Sequence, residues 1–341
     1  MMPPIARLTA VLVAATALAA HAQSASSKGT ARGISRTEFE GWKDTLLIES
    51  RDTPIRAILA PGIGGRVVFY GPRDQNLLWI DPAAAGKTAA TASGPFDPGG
   101  FIVDRGPESA RLDPASDLLV GAWDASPRKG YLVSLRSPED KAGRVEVERQ
   151  IMFDPSSGEL GFEHRAKNTS DRDTTVTLLH RIACQPGGYA ILPLSKKSRF
   201  AAGWSLRRGE GNRRTFDGSK PESEAVQVLD GVLVARTGGP ATRIGADSDA
   251  QWVGYARGRH LFVVHFPVYA SATYSEGGNS VTVDWDERRT ELQPLSAEQR
   301  VRSRKSLEFP MKWSIIDLPA EVTSHAEARR LADLVPSSPF L

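Results

Sequence analysis

A histidine in a half-apolar strand is the first residue of this chain to suggest chemistry. The run from Gly161 to Cys184 has the pattern of two strands joined by a polar turn, and His180 lies in the second strand. Because strand side chains alternate between two faces, His180 shares its face with branched apolar side chains, and Arg181 lies on the opposite face. Such an imidazole is either a core histidine with backbone partners or an acid or base on the inner face of a sheet. The residues alone leave both alternatives open.

A second set of groups suited to proton transfer consists of carboxylates near the predicted strand ends. A carboxylate acts as a general acid or base when a site holds it within hydrogen-bond reach of a substrate. Tryptophans add surfaces that could stack on the apolar face of a pyranose, although we expect most of them in the core. Composition does not choose among the carboxylates. They are Asp104, Glu108, Asp284, Asp286 and Glu291.

The elements that must position these groups are short strands separated by turns rich in Gly and Pro, a pattern typical of an antiparallel sandwich or barrel. One helix is predicted near the C-terminus, where Ser324 and Glu327 form a capping box and Pro336 stops the helix. Residues 81–107 have the composition of a loop, of a kind that often carries binding groups. We predict an all-β class and a single β-rich domain. The predicted strands lie at 45–50, 55–59, 66–70, 76–80, 131–135, 144–153, 189–194, 226–236, 251–256, 260–268, 280–285, 290–292 and 306–317, in addition to the hairpin at 161–184.

The N-terminus predicts export. An apolar run over residues 8–20 follows the single positive charge of Arg7, and an A-x-A cleavage motif ends at Ala22. We therefore expect a periplasmic or secreted protein that is cleaved after Ala22. No later run reaches the ~20 apolar residues of a membrane-spanning helix, so no span is predicted. The expected boundaries are a signal peptide over 1–22 and a disordered lead-in over 23–40.

The composition argues against several classes of function. The mature chain keeps all 40 acidic residues and loses one of its 43 basic residues with the leader, so its net charge is near +2. This balance argues against nucleic acid as a partner, because nucleic-acid binding needs a concentrated basic patch. Cys184 is the one cysteine, so neither an internal disulfide nor a thiolate metal site is expected. His260 and His265 face opposite sides of a strand, so we predict no metal site.

Three segments occur in an order that is informative. The first is APGIGGRVVFYGPRDQNLLWIDP, with a Gly-Gly-Arg turn and an Asn-Leu-Leu-Trp run. The second is RVEVERQIMFDPSSGELGFEHRAKNTSDRDTTVTLLHRIACQPGG, with an Asn-Thr turn before a strand ending in His. The third is YSEGGNSVTVDWDERRTELQPLS, followed by MKWSII. Together they span Thr45 to Leu318 and resemble the galactose mutarotase-like (aldose 1-epimerase-like) superfamily, in a divergent bacterial branch of unassigned function.

The resemblance implies an antiparallel β-supersandwich over residues 41–320, with a helix and tail over 321–341 and a concave face that binds carbohydrate. In the mutarotases a glutamate takes the proton from the anomeric hydroxyl while a histidine protonates the ring oxygen. By this resemblance Glu291 is the base and His180 the acid, and no cofactor is implied because only protons move. The loop DPGGFIVDRGPE lacks the histidine of the family's Leu-His-Gly-Gly loop, so other residues would contact the sugar. These are Arg66, Asp104, Arg105 and Glu108.

We therefore predict an exported carbohydrate-active protein that interconverts sugar anomers by general acid–base catalysis, as an aldose epimerase does. The alternative is a non-catalytic carbohydrate-binding protein on the same fold, and a weaker alternative is a polysaccharide lyase or glycoside hydrolase. Catalysis requires His180 and Glu291 to project into one pocket with room for a pyranose between them. If either residue points into a sealed core or into open solvent, the binding alternative is favoured. The sugar and the oligomeric state are left open.

Overall fold

Antiparallel strands form nearly all of the regular structure. The computed structural model describes residues 31–107, 114–209 and 213–340, and within these ranges it contains 22 strands and two α-helices. The strands are β1 (Ile34–Phe39), β2 (Trp42–Glu49), β3 (Ile55–Ala60), β4 (Arg66–Pro72), β5 (Phe101–Gly106), β6 (Asp124–Arg128), β7 (Leu132–Arg136), β8 (Val145–Phe153), β9 (Leu160–Asn168), β10 (Thr174–Cys184), β11 (Tyr189–Pro193), β12 (Ser205–Arg208), β13 (Thr215–Asp217), β14 (Val226–Leu229), β15 (Val232–Arg236), β16 (Thr242–Ala246), β17 (Trp252–Arg257), β18 (His260–His265), β19 (Val281–Trp285), β20 (Thr290–Pro294), β21 (Gln299–Val301) and β22 (Ser306–Asp317). The helices are α1 (Asp117–Val120) and α2 (His325–Leu331). The predicted all-β class is confirmed.

The strands of the described ranges pair into two antiparallel sheets. The larger sheet has 12 strands in the order β1-β2-β3-β4-β5-β10-β20-β19-β16-β12-β13, with β21 paired to β10. The smaller sheet has 10 strands in the order β14-β15-β11-β17-β18-β22-β9-β8-β7-β6. Strands that neighbour each other only after long excursions, such as β10 and β20, bring distant parts of the sequence side by side.

The main core lies between the two sheets. Aromatic side chains from both sheets meet there, and Phe101 of the larger sheet packs on Phe162 and Trp313 of the smaller sheet, with ring centroids 5.4 and 5.0 Å apart. Tyr70 of β4 adds a further contact to Trp313 at 5.5 Å. Tilted and edge-to-face pairs of this kind stabilise a core beyond the area that they bury. The inner face of the larger sheet is therefore apolar, which leaves its outer face for polar side chains.

The C-terminal helix covers the other side of the smaller sheet. Ala328 of α2 packs with Tyr189 and Val232, which belong to β11 and β15. The Ser324 hydroxyl accepts a hydrogen bond from the amide of Glu327, whose carboxylate accepts one from the amide of Thr323. The predicted helix and its cap are thus confirmed. None of the helices in the described ranges is long and apolar enough to cross a membrane.

Some predicted boundaries are wrong. The lead-in predicted over 23–40 contains β1, which pairs with β2 and buries Ile34. The strand predicted at 76–80 makes only isolated bridges, and its Asn76 side chain accepts from the amides of Tyr70 and Leu78, which competes with regular pairing. The loop predicted over 81–107 ends in the buried strand β5. The predicted signal peptide lies outside the described residues.

Candidate functional site

His180 lies in the core. It is on the inner face of β10, its exposed fraction is 0%, and its ring stacks on Phe309 with centroids 4.6 Å apart and on Phe101 with centroids 6.1 Å apart. Its Nδ1 atom is 3.3 Å from the carbonyl oxygen of Pro294. Burial, with a smaller contribution from the Arg149 charge, lowers the pKa of His180 to about 3, although the Pro294 contact acts in the other direction. The core-histidine alternative, with a backbone partner, is confirmed.

Glu291 lies on the opposite face of the same sheet. It belongs to β20 and is the register partner of Ala183 in β10, so the two side chains share a face. Ala183 is three residues from His180, and an odd separation along a strand places side chains on opposite faces. The hypothesis that His180 and Glu291 project into one pocket is therefore wrong, because the sheet itself separates them.

On the outer face, Arg181 and Arg289 hold the Glu291 carboxylate. Arg181 donates from Nη2 to Oε1 at 2.9 Å and from Nε to Oε2 at 3.2 Å, and Arg289 Nη2 lies 2.8 Å from Oε1. The side-chain amide of Gln293 donates to Oε2 at 2.7 Å. Burial alone would raise the pKa of Glu291, but the charges of Arg181 and Arg289 outweigh it and lower this pKa to about 2. The group is therefore a fixed anion at neutral pH.

A loop carboxylate completes this cluster. Asp97 precedes β5, and its Oδ2 atom lies 3.1 Å from Nη2 of Arg181 and 3.0 Å from Nη1 of Arg289, while Oδ1 lies 3.7 Å from Nη1 of Arg66. Burial would raise the pKa of Asp97, but the arginine charges outweigh this effect and hold the pKa well below its usual range. Asp97 therefore ties the loop before β5 to the outer face of the sheet.

A glycine turn brings the loop to this position. Gly99 and Gly100 have φ of +79° and +68°, which favour glycine. A Cβ atom would lie 2.4 Å from the carbonyl oxygen of Trp79 if added at Gly99, and 2.5 Å from that of Val67 if added at Gly100. The carbonyl of Gly99 also accepts a hydrogen bond from Arg66 Nη1 at 2.8 Å. The turn thus positions Arg66 and the loop carboxylate together.

Charged side chains form a row across three neighbouring strands. Glu291 of β20 is the register partner of Asp284 in β19, which is the register partner of Arg243 in β16. The guanidinium of Arg243 makes a bidentate ion pair with Asp284. Gln293 donates to both carboxylates, at 3.4 Å to Asp284 and at 2.7 Å to Glu291. The facing charges of Arg243 and Asp284 are opposite and stabilise the row, whereas the facing carboxylates of Asp284 and Glu291 repel each other. The Gln293 amide between these carboxylates offsets the repulsion and holds them in place.

Among the described residues, two cavities open on this outer face. The first, of about 530 Å³, is here named the charged cavity, and the second, of about 340 Å³, is named the apolar cavity. The walls of the charged cavity include Arg181, Arg207, Arg243, Asp284, Arg289 and Glu291. The walls of the apolar cavity include Arg66, Phe96, Asp104, Leu119, Val120 and Arg181.

The other predicted sugar-contacting residues separate into two groups. Arg66 and Asp104 line the apolar cavity, where burial lowers the pKa of Arg66 to about 10. Arg105 lies on the opposite face of β5, where its Nη2 atom is 3.5 Å from the carbonyl oxygen of Thr175. Because adjacent residues of a strand point to opposite faces, Arg105 does not share the outer face with Asp104, and its contact with a sugar stays a prediction. Glu108 lies outside the described residues.

The sequence-based prediction did not single out the arginines that organise the site. Arg181 had a usable signal, because it is a charged residue within the largely apolar run from Leu178 to Cys184. Arg289 had a weaker signal, its place two residues before Glu291. Asp97 had none, since only the fold brings its loop to the arginines.

The architecture matches solved structures of galactose mutarotase-like proteins. A galactose mutarotase-like protein from Clostridium acetobutylicum aligns with a TM-score of 0.56 over 84% of this chain and 98% of that protein, at 10% identity. A galactose mutarotase-like protein from Lactobacillus casei aligns with a TM-score of 0.52 over 79% of this chain and 100% of its own, at 11% identity. A galactose mutarotase related enzyme from Lactobacillus acidophilus aligns with a TM-score of 0.52 over 82% and 100%, at 9% identity.

At the level of sequence, no family model matches this chain, and no curated protein matches it. The chain has the galactose mutarotase-like fold. The resemblance inferred from its three segments is thereby confirmed as a statement about the fold.

Proposed function

We propose that this protein binds carbohydrate in the charged cavity. The observation that carries the proposal is the wall of this cavity, where arginines and carboxylates on neighbouring strands hold one another in ion pairs. Mutual ion pairs fix these side chains before a ligand arrives, which reduces the entropy lost on binding. Guanidinium groups only donate hydrogen bonds and carboxylates only accept them, whereas each sugar hydroxyl can do both. The wall therefore suits a polyhydroxylated ring.

The names of the structural neighbours support a sugar as the ligand. The proteins from C. acetobutylicum and L. casei are called galactose mutarotase-like, and the one from L. acidophilus is called a galactose mutarotase related enzyme. The likeness extends over most of each chain, which supports the proposal of a carbohydrate ligand on the same fold.

Binding without catalysis is the form of this function that the geometry favours. Acid–base catalysis at neutral pH works best with groups whose pKa lies near the working pH. Glu291 has a pKa of about 2, which makes it a weak base. His180 is enclosed in the core, and the described residues that line the charged cavity include no histidine. We therefore propose the carbohydrate-binding protein in preference to the aldose epimerase.

Adjacent arginines of β12 provide a matched test. Arg207 lines the charged cavity, whereas Arg208 pairs with Asp217 outside it at 3.7 Å. In titration calorimetry against a panel of monosaccharides and disaccharides, we expect Arg207→Ala to weaken binding by about tenfold or more, because a charge-assisted hydrogen bond is lost. We expect Arg208→Ala to stay within twofold of the wild type. Absence of binding to every sugar of the panel would contradict the proposal.

The optical rotation of freshly dissolved α-D-glucose and α-D-galactose distinguishes the two forms of the function. We expect the protein to bind sugar without accelerating the decay of rotation. Acceleration that survives Arg208→Ala and is lost in Arg207→Ala would replace the binding protein with an epimerase at the same cavity.

We also propose that the protein acts outside the cytoplasm, in the periplasm or beyond the cell. The support is the leader pattern of residues 1–22, with its apolar run and its A-x-A motif before Gln23. When the full chain is expressed in a Gram-negative host, N-terminal sequencing of the periplasmic and medium fractions should give a chain that starts at Gln23. Recovery of the chain from the cytoplasm with its Met1 end intact would contradict export.

A further inference from the structure

Binding of one polar sugar does not account for the apolar cavity. Buried side chains of Phe96, Leu119 and Val120 form the apolar part of its walls, and the charged members are Arg66, Asp97, Asp104 and Arg181. Its volume of about 340 Å³ lies within the range of pockets that hold small ligands. A sugar hydroxyl against the apolar part of these walls would lose its water without gaining a partner. The cavity therefore favours a group with an apolar surface.

Arg181 joins the two cavities, since it belongs to the walls of both. It is tied to Glu291, which lines the charged cavity, and to Asp97, which lines the apolar cavity. The side chain is only 16% exposed, and these ion pairs keep it in place. The cavities therefore have a fixed separation, and a ligand that fills both must pass over Arg181.

We propose that the ligand is a glycoside of two units, with a polar sugar in the charged cavity and a less polar second unit in the apolar cavity. This inference rests on the proposed function and names the ligand class of the same site. A free monosaccharide would fill the charged cavity alone and leave the neighbouring apolar walls in water. A glycoside with an apolar aglycone, or with a deoxy or acylated second sugar, removes those walls from water and binds more tightly.

Paired glycosides test the second unit separately from the first. The probes are the methyl and phenyl glycosides of β-D-galactose, β-D-glucose and their α-anomers, titrated calorimetrically into the wild-type chain. The two members of each pair present the same sugar to the charged cavity and differ only in the group that would enter the apolar cavity. We expect the phenyl member of the recognised pair to bind at least tenfold more tightly.

Variants of the apolar cavity test whether the tighter binding of the phenyl glycoside depends on that cavity. Val120→Thr keeps the side-chain shape and introduces a hydroxyl, and we expect it to reduce the phenyl advantage at least threefold while methyl glycoside affinity stays within twofold. Phe96→Ala, in the loop before β5, provides a second variant with the same expected pattern if the first folds poorly. Val228→Thr makes the same chemical change on an exposed strand of the smaller sheet and should change neither affinity.

The outcomes separate the two proposals. Equal affinity for methyl and phenyl glycosides in the wild type would overturn the two-unit ligand and leave carbohydrate binding in place. A phenyl advantage that persists in both Val120→Thr and Phe96→Ala would overturn the assignment of the second unit to the apolar cavity. Absence of binding by every glycoside, together with every free sugar, would overturn the proposed function itself.

Discussion

Substitution of Glu291 by glutamine is expected to lower the free energy of unfolding by about 3 kcal/mol. The carboxylate is 7% exposed and pairs with Arg181 and Arg289, so its loss leaves two half-buried cations that have lost a shared anion. Removal of one partner of a buried ion pair costs about 3–5 kcal/mol. We expect the lower end of that range because Asp97 still pairs with both arginines. Urea unfolding of the two proteins at pH 7 measures the difference.

A matched surface pair serves as the control. Arg165 and Glu308 are register partners on β9 and β22 and form an ion pair at 3.1 Å, but their side chains are 54% and 65% exposed. Glu308→Gln is therefore expected to cost less than about 1 kcal/mol. Only the Glu291 variant should also lose sugar affinity. Equal losses of stability in the two variants would show that water screens the Glu291 cluster as it screens the surface pair.

The fold was predictable wherever burial leaves a local pattern. In β8 buried and partly or fully exposed residues alternate from Val145 to Phe153, and this period of two is visible in the sequence. A short strand such as β21, whose sequence is Gln-Arg-Val, is too short to show this period. It forms because its backbone pairs with β10. Strands β1, β5, β6, β12, β13, β16 and β21 were not predicted. Pairing between distant segments, which is a property of the assembled sheet, accounts for β5, β16 and β21.

The site was less predictable than the fold, for a related reason. Alternation along β10 correctly placed His180 on the inner face and Arg181 on the outer face. The alternation does not indicate which face of the sheet carries the site. The resemblance to the mutarotases placed the site on the face of His180. The position of Asp97 depends on the turn at Gly99 and on the charge of arginines from separate strands. Electrostatic contacts of this kind are made only after the chain has folded.

The buried histidine leads to the second large prediction, a loss of stability in acid. The folded-state pKa of His180 is about 3 against an ordinary value of 6.5, so the unfolded chain binds a proton that the folded chain does not. The stability that the neutral ring contributes is therefore complete above pH 6.5 and is lost as the pH falls toward 3. Between pH 8 and pH 4.5 the free energy of unfolding should fall by roughly 2.5 kcal/mol because of this one group.

His180→Phe isolates this contribution. A phenyl ring suits the stack between Phe101 and Phe309, and it loses only the 3.3 Å contact of Nδ1 with the Pro294 carbonyl oxygen. His164 also has a pKa lowered by burial, so both proteins should lose stability in acid. The difference between their unfolding free energies removes the part of the His164 dependence that burial causes, while the smaller part caused by the His180 charge disappears with the substitution. Urea unfolding at pH 8, 6 and 4.5 should show the variant gaining roughly 2.5 kcal/mol relative to the wild type at the lowest pH.

The same variant decides between the two roles considered for the histidine. If His180 is sealed between the sheets, His180→Phe should bind sugars within twofold of the wild type, because the ring does not reach the outer face where Glu291 lies. Parallel pH curves for the two proteins would mean that the imidazole takes up a proton in the folded state as readily as in water. Solvent would then reach the ring, and loss of sugar affinity in the same variant would return His180 to the candidate site.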